Sequence, residues 1–162
     1  MRDIVAAPLT AAAFAPFGHV IETPGAARRV INAGRCVRHH DLAPVDVLSG
    51  RAGLSVFVSE PVGLPHAFDL VERHPEGSQA FMPLSDAPFL VIVAPDEGGA
   101  PGRPLAFLTA PGQGVSYGAG VWHGVLTPLG AQQRFLVVDR IGPGANLQEH
   151  RWAAPWTVTA PR

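Results

Sequence analysis

Lysine is missing from this chain of 162 residues, and every cationic side chain is an arginine. A Schiff-base lysine is therefore excluded, and covalent catalysis would need another nucleophile. Cysteine occurs once, as Cys36, which rules out an internal disulfide and is too little for a thiolate-built zinc site. It reads as a small buried hydrophobe. Charge is scarce as well: charged residues make up 15% of the chain and the net charge is -1, against a usual charged share of about 25%. No field exists to draw in nucleic acid or an anionic membrane. No apolar run approaches the roughly 18 residues of a membrane span. Asp3, Pro8 and Thr10 interrupt what would be the apolar core of a signal peptide. These absences predict a soluble, cytoplasmic protein whose partner is a small molecule.

What is present is apolar and finely punctuated. A hydrophobic content of 47% is enough for a single domain over residues 1–162. Eighteen glycines and 17 prolines supply tight turns while staying below the proportion expected of disorder. Thr10 is placed to cap a short helix through Ala11–Phe14, ended by Pro16 and Gly18, and a strand follows over 19–22. From residue 53 the strand signals come in series, over 53–58, 67–74, 79–84, 89–94, 105–109, 114–117, 121–127 and 135–140. Each is rich in Val, Leu, Ile or Phe and bounded by Gly, Pro, Asp or Ser. No long helical period separates them, so the pattern predicts an all-β sandwich or barrel with a short N-terminal helix. Residues 96–103 read as a mobile surface loop, and 142–162 as an irregular tail pinned by Trp152 and Trp156. The polar stretch 35–41, with Arg35, Arg38, His39, His40 and Asp41, is either a solvated loop or a pocket wall offering an arginine to a carboxylate.

Two stretches carry chemistry. Gly112–Thr127 places His123 after a glycine-rich bend and before an apolar run. Upstream, Glu72-Arg73-His74-Pro75-Glu76-Gly77-Ser78-Gln79 has similar character. Alternation along a strand puts Glu72 and His74 on one face and Arg73 on the other. In a barrel, His74, Gln79 and His123 can converge on one pocket. Two imidazoles and a carboxylate suit a divalent metal such as Ni, Mn, Fe or Zn. The alternative is that both histidines hydrogen-bond substrate or core groups without metal. Tyr117 is either an oxyanion donor or an ordinary barrel aromatic. Trp122 should face away from His123, toward a second layer or a subunit partner. Asp139 closes an apolar strand: buried, it is a candidate base; paired with Arg140 or a turn amide, it is structural.

The spacing of Glu72, His74, Gln79 and His123 resembles the two cupin motifs, with Glu72 in place of a histidine and Gln79 in place of the acid. The second motif matches at Gly112, Gly120 and His123. The resemblance implies a cupin-like double-stranded β-helix barrel. Nearly the whole chain also resembles the bacterial ureidoglycolate lyases, formerly called ureidoglycolate hydrolases. The likeness is carried by Phe14-x-x-Phe17-Gly18, Ile31-Asn32-x-Gly34, Arg38-x-His40-Asp41, Glu72-Arg73-His74-Pro75-x-Gly77-Ser78-Gln79, Val121-Trp122-His123 and Asp139-Arg140. At Gly124-Val125 the chain departs from the family, which usually has a second histidine and a proline there. The resemblance implies cleavage of (S)-ureidoglycolate to glyoxylate and urea in allantoin catabolism, dependence on nickel or another divalent metal, and a homodimer. Its site would comprise His123, Asp139 and Tyr117 for catalysis, Arg38, His40, Arg73 and Gln79 for substrate, and Glu72, His74 and His123 for metal. Two further readings stay open: a binding or sensory protein without catalysis, and a hydrolase of the same substrate that releases ammonia.

Overall fold

The protein is described by a computed structural model covering residues 2–161. The expected helix is a single turn, Ala11–Phe14, capped by the Thr10 hydroxyl, which accepts the Ala13 N–H at 3.2 Å. It sinks Phe14 completely into the core. Almost everything else is strand. One eight-stranded sheet runs Asp3–Val5, Gln148–Thr159, His66–Arg73, Trp122–His123, Phe89–Ala94, Leu105–Leu108, Ala7–Pro8, with Thr127–Pro128 also on Phe89–Ala94. A five-stranded sheet runs Gly18–Ile21, Gly114–Tyr117, Gln79–Pro83, Gln133–Ile141, Arg51–Ser59. Between them lies the main core, with Phe81, Phe89, Val91, Val93, Phe107, Val115, Tyr117, Phe135 and Val137. The architecture is a cupin-like β-barrel.

The strand Phe89–Ala94 is buried at every residue, as its unbroken apolar run requires. Val91 and Val93 face the barrel interior. Leu90 and Ile92 point outward into a second core with Ile4, Ala6, Ala106 and Val158. Ala94 joins Val71 and Trp122 in a third, against which Phe68 and Trp152 pack. Trp122 therefore faces a second layer of its own chain, and it is buried there.

Several expectations are corrected. Residues 142–162 are not an irregular tail: Gln148–Thr159 is a twelve-residue strand, paired antiparallel with His66–Arg73 and parallel with Asp3–Val5. A register shift between Arg151 and Trp156 absorbs Pro155, which has no N–H to give to a ladder. The supposed loop 96–103 contains a small hairpin, Asp96–Glu97 with Ala100–Pro101. Asp96 fixes it by accepting the Trp122 indole N–H and an Arg73 guanidinium N–H, both at 2.9 Å. The strand expected over 121–127 is two short pieces separated by Gly124–Leu126. Cys36 is exposed, not buried. It lies on a hairpin, Arg28–Ile31 with Cys36–His39, whose side chains are mostly in solvent. The stretch 35–41 is thus largely one arm of that hairpin. Among the described residues, no helix is long and apolar enough to cross a membrane.

Candidate active site

The barrel interior receives its polar groups from five strands, His66–Arg73, Gln79–Pro83, Gly114–Tyr117, Trp122–His123 and Gln133–Ile141, and from the turn after the first. His123 lies opposite Glu72 in the antiparallel register. Glu72 and His74 share a face of their strand, as alternation requires. The glycine bend at Gly120, with φ +74°, donates its N–H to the His74 carbonyl at 2.9 Å and so brings the two histidine-bearing segments together. Their rings lie 5.3 Å apart. One ligand atom from each of Glu72, His74 and His123 falls within 4.8 Å of the others.

The backbone selects which nitrogen each ring presents. His123 Nδ1 lies 3.0 Å from the Gly124 carbonyl, and His74 Nδ1 lies 2.7 Å from the Asn146 carbonyl. A carbonyl only accepts, so each Nδ1 carries a proton and each neutral ring offers its Nε2 lone pair. Both Nε2 atoms are buried and, among the described residues, without a hydrogen-bond partner. Tyr117 stacks flat on His123, with centroids 4.3 Å apart and planes 5° from parallel, which fixes the ring's plane. Tyr117 is thus both a core aromatic and a wall of the site.

Electrostatics separate the two histidines. Burial holds His123 down to about 4, outweighing the Gly124 carbonyl and the Glu72 charge, so it is neutral through the physiological range. Burial also works against a charge on His74. There, however, Glu72 with its oxygen at 3.7 Å, the Asn146 carbonyl and the Asp139 charge prevail, and the pKa is raised. The His74 ring in turn holds the Glu72 carboxyl below its usual range, against the opposing effect of burial. Burial, reinforced by the Glu72 charge, pushes the Tyr117 phenol up, so it keeps its proton. Two oriented imidazoles with backbone-anchored Nδ1 atoms and a flanking carboxylate fit a divalent ion.

A second polar group stands beside this cluster. Gln79 is in register with Tyr117 and donates from Nε2 to Asp139 Oδ2 at 3.2 Å. Gln79 Oε1 and Asp139 Oδ1 are buried and have no hydrogen-bond partner among the described residues. Asp139 pairs with neither Arg140 nor a turn amide. Arg140 instead spends its guanidinium on Ser49 and on the Gly142 and Pro143 carbonyls.

The structure brings together Glu72, His74, Gln79, Tyr117, His123 and Asp139, and leaves three expected members out. Arg73 points to the opposite face, lying 4.3 Å over Trp122 and bonded to Asp96 and Gln148. Arg38 is exposed on the outer hairpin. His40 lines a separate cleft of about 310 Å³ with Glu22 and Asp41. The reason is visible at residues 41–45, which line a cavity against Ala80 and Val138. Those side chains alternate with Gln79 and Asp139, so the 41–45 segment lies on the outside of the sheet. One member was missed. Asn146 accepts from His74 through its carbonyl and from the Glu76 N–H through its side chain at 2.7 Å. Its position after Gly144 offers a turn signal, but no spacing links residue 146 to residue 74.

A cupin-like barrel with a His–His–Glu group on its inner wall, His123 buried and Glu72 and His74 partly buried, defines the class, a barrel protein with a candidate metal-binding group. The family model described as ureidoglycolate lyase matches residues 1–159. The chain is 58% identical over 159 residues to a ureidoglycolate lyase of Rhodobacter capsulatus, covering 98% of this chain and 99% of the relative. It is 53% identical over 163 residues to that of a Chelativorans species, with 99% of each covered. A Mesorhizobium japonicum ureidoglycolate lyase is 49% identical over 163 residues, covering 99% of this chain and all of the relative. The chain belongs to the ureidoglycolate lyase family.

Proposed function

We propose that the protein is a ureidoglycolate lyase that splits (S)-ureidoglycolate into glyoxylate and urea during allantoin breakdown. The observation that carries this reading is the pair of buried, unpartnered Nε2 atoms beside Glu72, in a chain of this family. The substrate is a carbinolamide, so its cleavage needs a proton taken from the hydroxyl and one given to the departing nitrogen. Glu72, His74 and His123 would hold the divalent ion, nickel being the metal that the family resemblance implies. When bound, such an ion acidifies a hydroxyl as a Lewis acid. Asp139, through its free Oδ1, takes the hydroxyl proton. The C–N bond then breaks with its electron pair moving to nitrogen, the C=O of glyoxylate forms, and Asp139 returns the proton to the nitrogen of urea. Tyr117 keeps the His123 ring in plane and, retaining its proton, serves as a donor rather than a base. Arg38, His40 and Arg73 have no part in this scheme.

The test is to add ureidoglycolate and measure urea, ammonia and glyoxylate separately. Urea and glyoxylate in equal amounts are expected. Ammonia in place of urea would make the protein a hydrolase, and no turnover in the metal-loaded protein would leave only a binding role. Asp139→Asn, which removes the base, is expected to lower urea release about 10²- to 10⁴-fold, and His123→Ala to lower both bound metal and urea release, while the melting curves show folded proteins.

The reading takes the chain as one domain, supported by the pairing of Asp3–Val5 with Thr157–Thr159. It also takes the protein as cytoplasmic, supported by the exposed thiol of Cys36, which suits a reducing compartment. Finally, it takes the active form as a homodimer. The supporting surface is not around Trp122, which is buried. It is the outer face of the five-stranded sheet, where Leu54 is 73% exposed and Val56, Val58, Leu84 and Leu136 are exposed near it. Arg51–Ser59 is also an edge strand, and a long apolar edge calls for cover.

A further inference from the structure

Gln79 is 6% exposed, and its amide has only one orientation consistent with its neighbour. A carboxylate only accepts hydrogen bonds, so the contact between Gln79 Nε2 and Asp139 Oδ2 fixes the NH₂ group toward Asp139. Oε1 must then face elsewhere, and it is buried without a partner. Beside it, Asp139 Oδ1 is in the same condition. Buried acceptors left empty in a folded protein are uncommon and costly. Two of them side by side point to a ligand that brings its own donors.

Resting on the lyase reading, we propose that Gln79 Oε1, held in place by Asp139, recognises the terminal NH₂ of the substrate's ureido group and sets which end of the substrate enters this side of the pocket. The ureido group carries N–H donors on both nitrogens, matching an acceptor wall. The substrate carboxylate carries none and would meet the like charge of Asp139. The substrate thus lies with its terminal NH₂ at Gln79 Oε1 and its hydroxyl-bearing carbon between Asp139 Oδ1 and the two histidines. The placement agrees with the strands: Gln79 is in register with Tyr117, and Tyr117 stacks on His123. The competing role for Oε1 is a further metal ligand. Neutral amide oxygen is a weak ligand beside carboxylate and imidazole, and the competing role makes a different prediction.

The experiment compares the wild type with Gln79→Met, which keeps the length and removes the carbonyl, and Gln79→Asn, which keeps the amide and shortens its reach. Either variant serves if one fails to fold. Binding of urea and of glyoxylate is measured by ligand-observed NMR, which needs no turnover, and metal content is measured after loading with nickel. Urea binding is expected to weaken tenfold or more, with glyoxylate binding and metal content unchanged. On ureidoglycolate, KM should rise more than kcat falls. Equal weakening of urea and glyoxylate, a lowered metal content, or no binding of urea by the wild type overturns the proposal. If the wild type turns over ureidoglycolate and the variants bind urea as it does, Gln79 recognition fails while the lyase reading stands. If the wild type binds urea but turns nothing over, the lyase reading alone fails.

Discussion

An imidazole becomes useful through the nitrogen it is not using. In His123 and His74 the Nδ1 atoms are committed to main-chain carbonyls at 3.0 and 2.7 Å, leaving both Nε2 atoms for chemistry. The residue-scale consequence is a pH signature. His123 is held at about 4 by burial, below the usual 6.5 of an unfolded chain. Between those values the unfolded state binds a proton that the folded state refuses. The stability associated with a neutral His123 is therefore complete above about pH 6.5 and is lost as pH falls toward 4, by on the order of 3 kcal/mol. Urea or thermal melts of metal-stripped protein across this range should show a shallower acid loss in His123→Gln than in the wild type. Equal slopes would mean that the ring is charged in the folded state. Gly124, next in sequence, has a different task. A Cβ there would lie 2.9 Å from Ile92 Cβ, on the outward face of Phe89–Ala94 and away from the pocket. The absence of a second histidine after Trp122-His123 therefore leaves the interior cluster intact.

At the scale of elements, the final strand has most to lose. Val158 is fully buried, Trp152 and Trp156 meet edge to face at 6.1 Å, and the strand runs along much of His66–Arg73. Deleting residues 148–162 should abolish cooperative melting and yield protein with exposed apolar surface, measurable by dye binding. A sharp transition in that truncated chain would show the strand to be dispensable. This strand was also the hardest element to read in the sequence. Ala153-Ala154-Pro155 interrupts its alternation, and only the register shift makes the proline tolerable. The central strands were legible because Val, Leu, Ile and Phe run unbroken between Gly and Pro turns, and Thr10 announced the helix. In the site, His74 and His123 could be found from motif spacing, and the opposite facing of Arg73 from alternation alone. The exclusion of Arg38 and His40 could not be read, because it depends on which face of a sheet the 41–45 segment crosses. Asn146 was invisible for a similar reason: its two bonds join segments about seventy residues apart.

At the scale of the whole molecule, the charge-poor composition has left an apolar sheet face in view. Two copies joined through it would bury Leu54, Val56 and Leu136, so Val56→Asp should shift the sedimentation mass from two chains toward one at micromolar concentration. Its effect on the melting temperature should be small, because Val56 is half exposed within one chain. A wild type that sediments as a single chain would remove the basis for this expectation. The barrel closes where its ends meet, with Asp3–Val5 lying parallel to Thr157–Thr159 and Asn146 holding the His74 turn from near the end of the chain. During synthesis His74 is made 72 residues before Asn146. A nascent chain stalled ahead of residue 146 already carries Glu72, His74 and His123, yet lacks the carbonyl that accepts from His74 Nδ1 and orients its ring, so the site is completed only once Asn146 has been added.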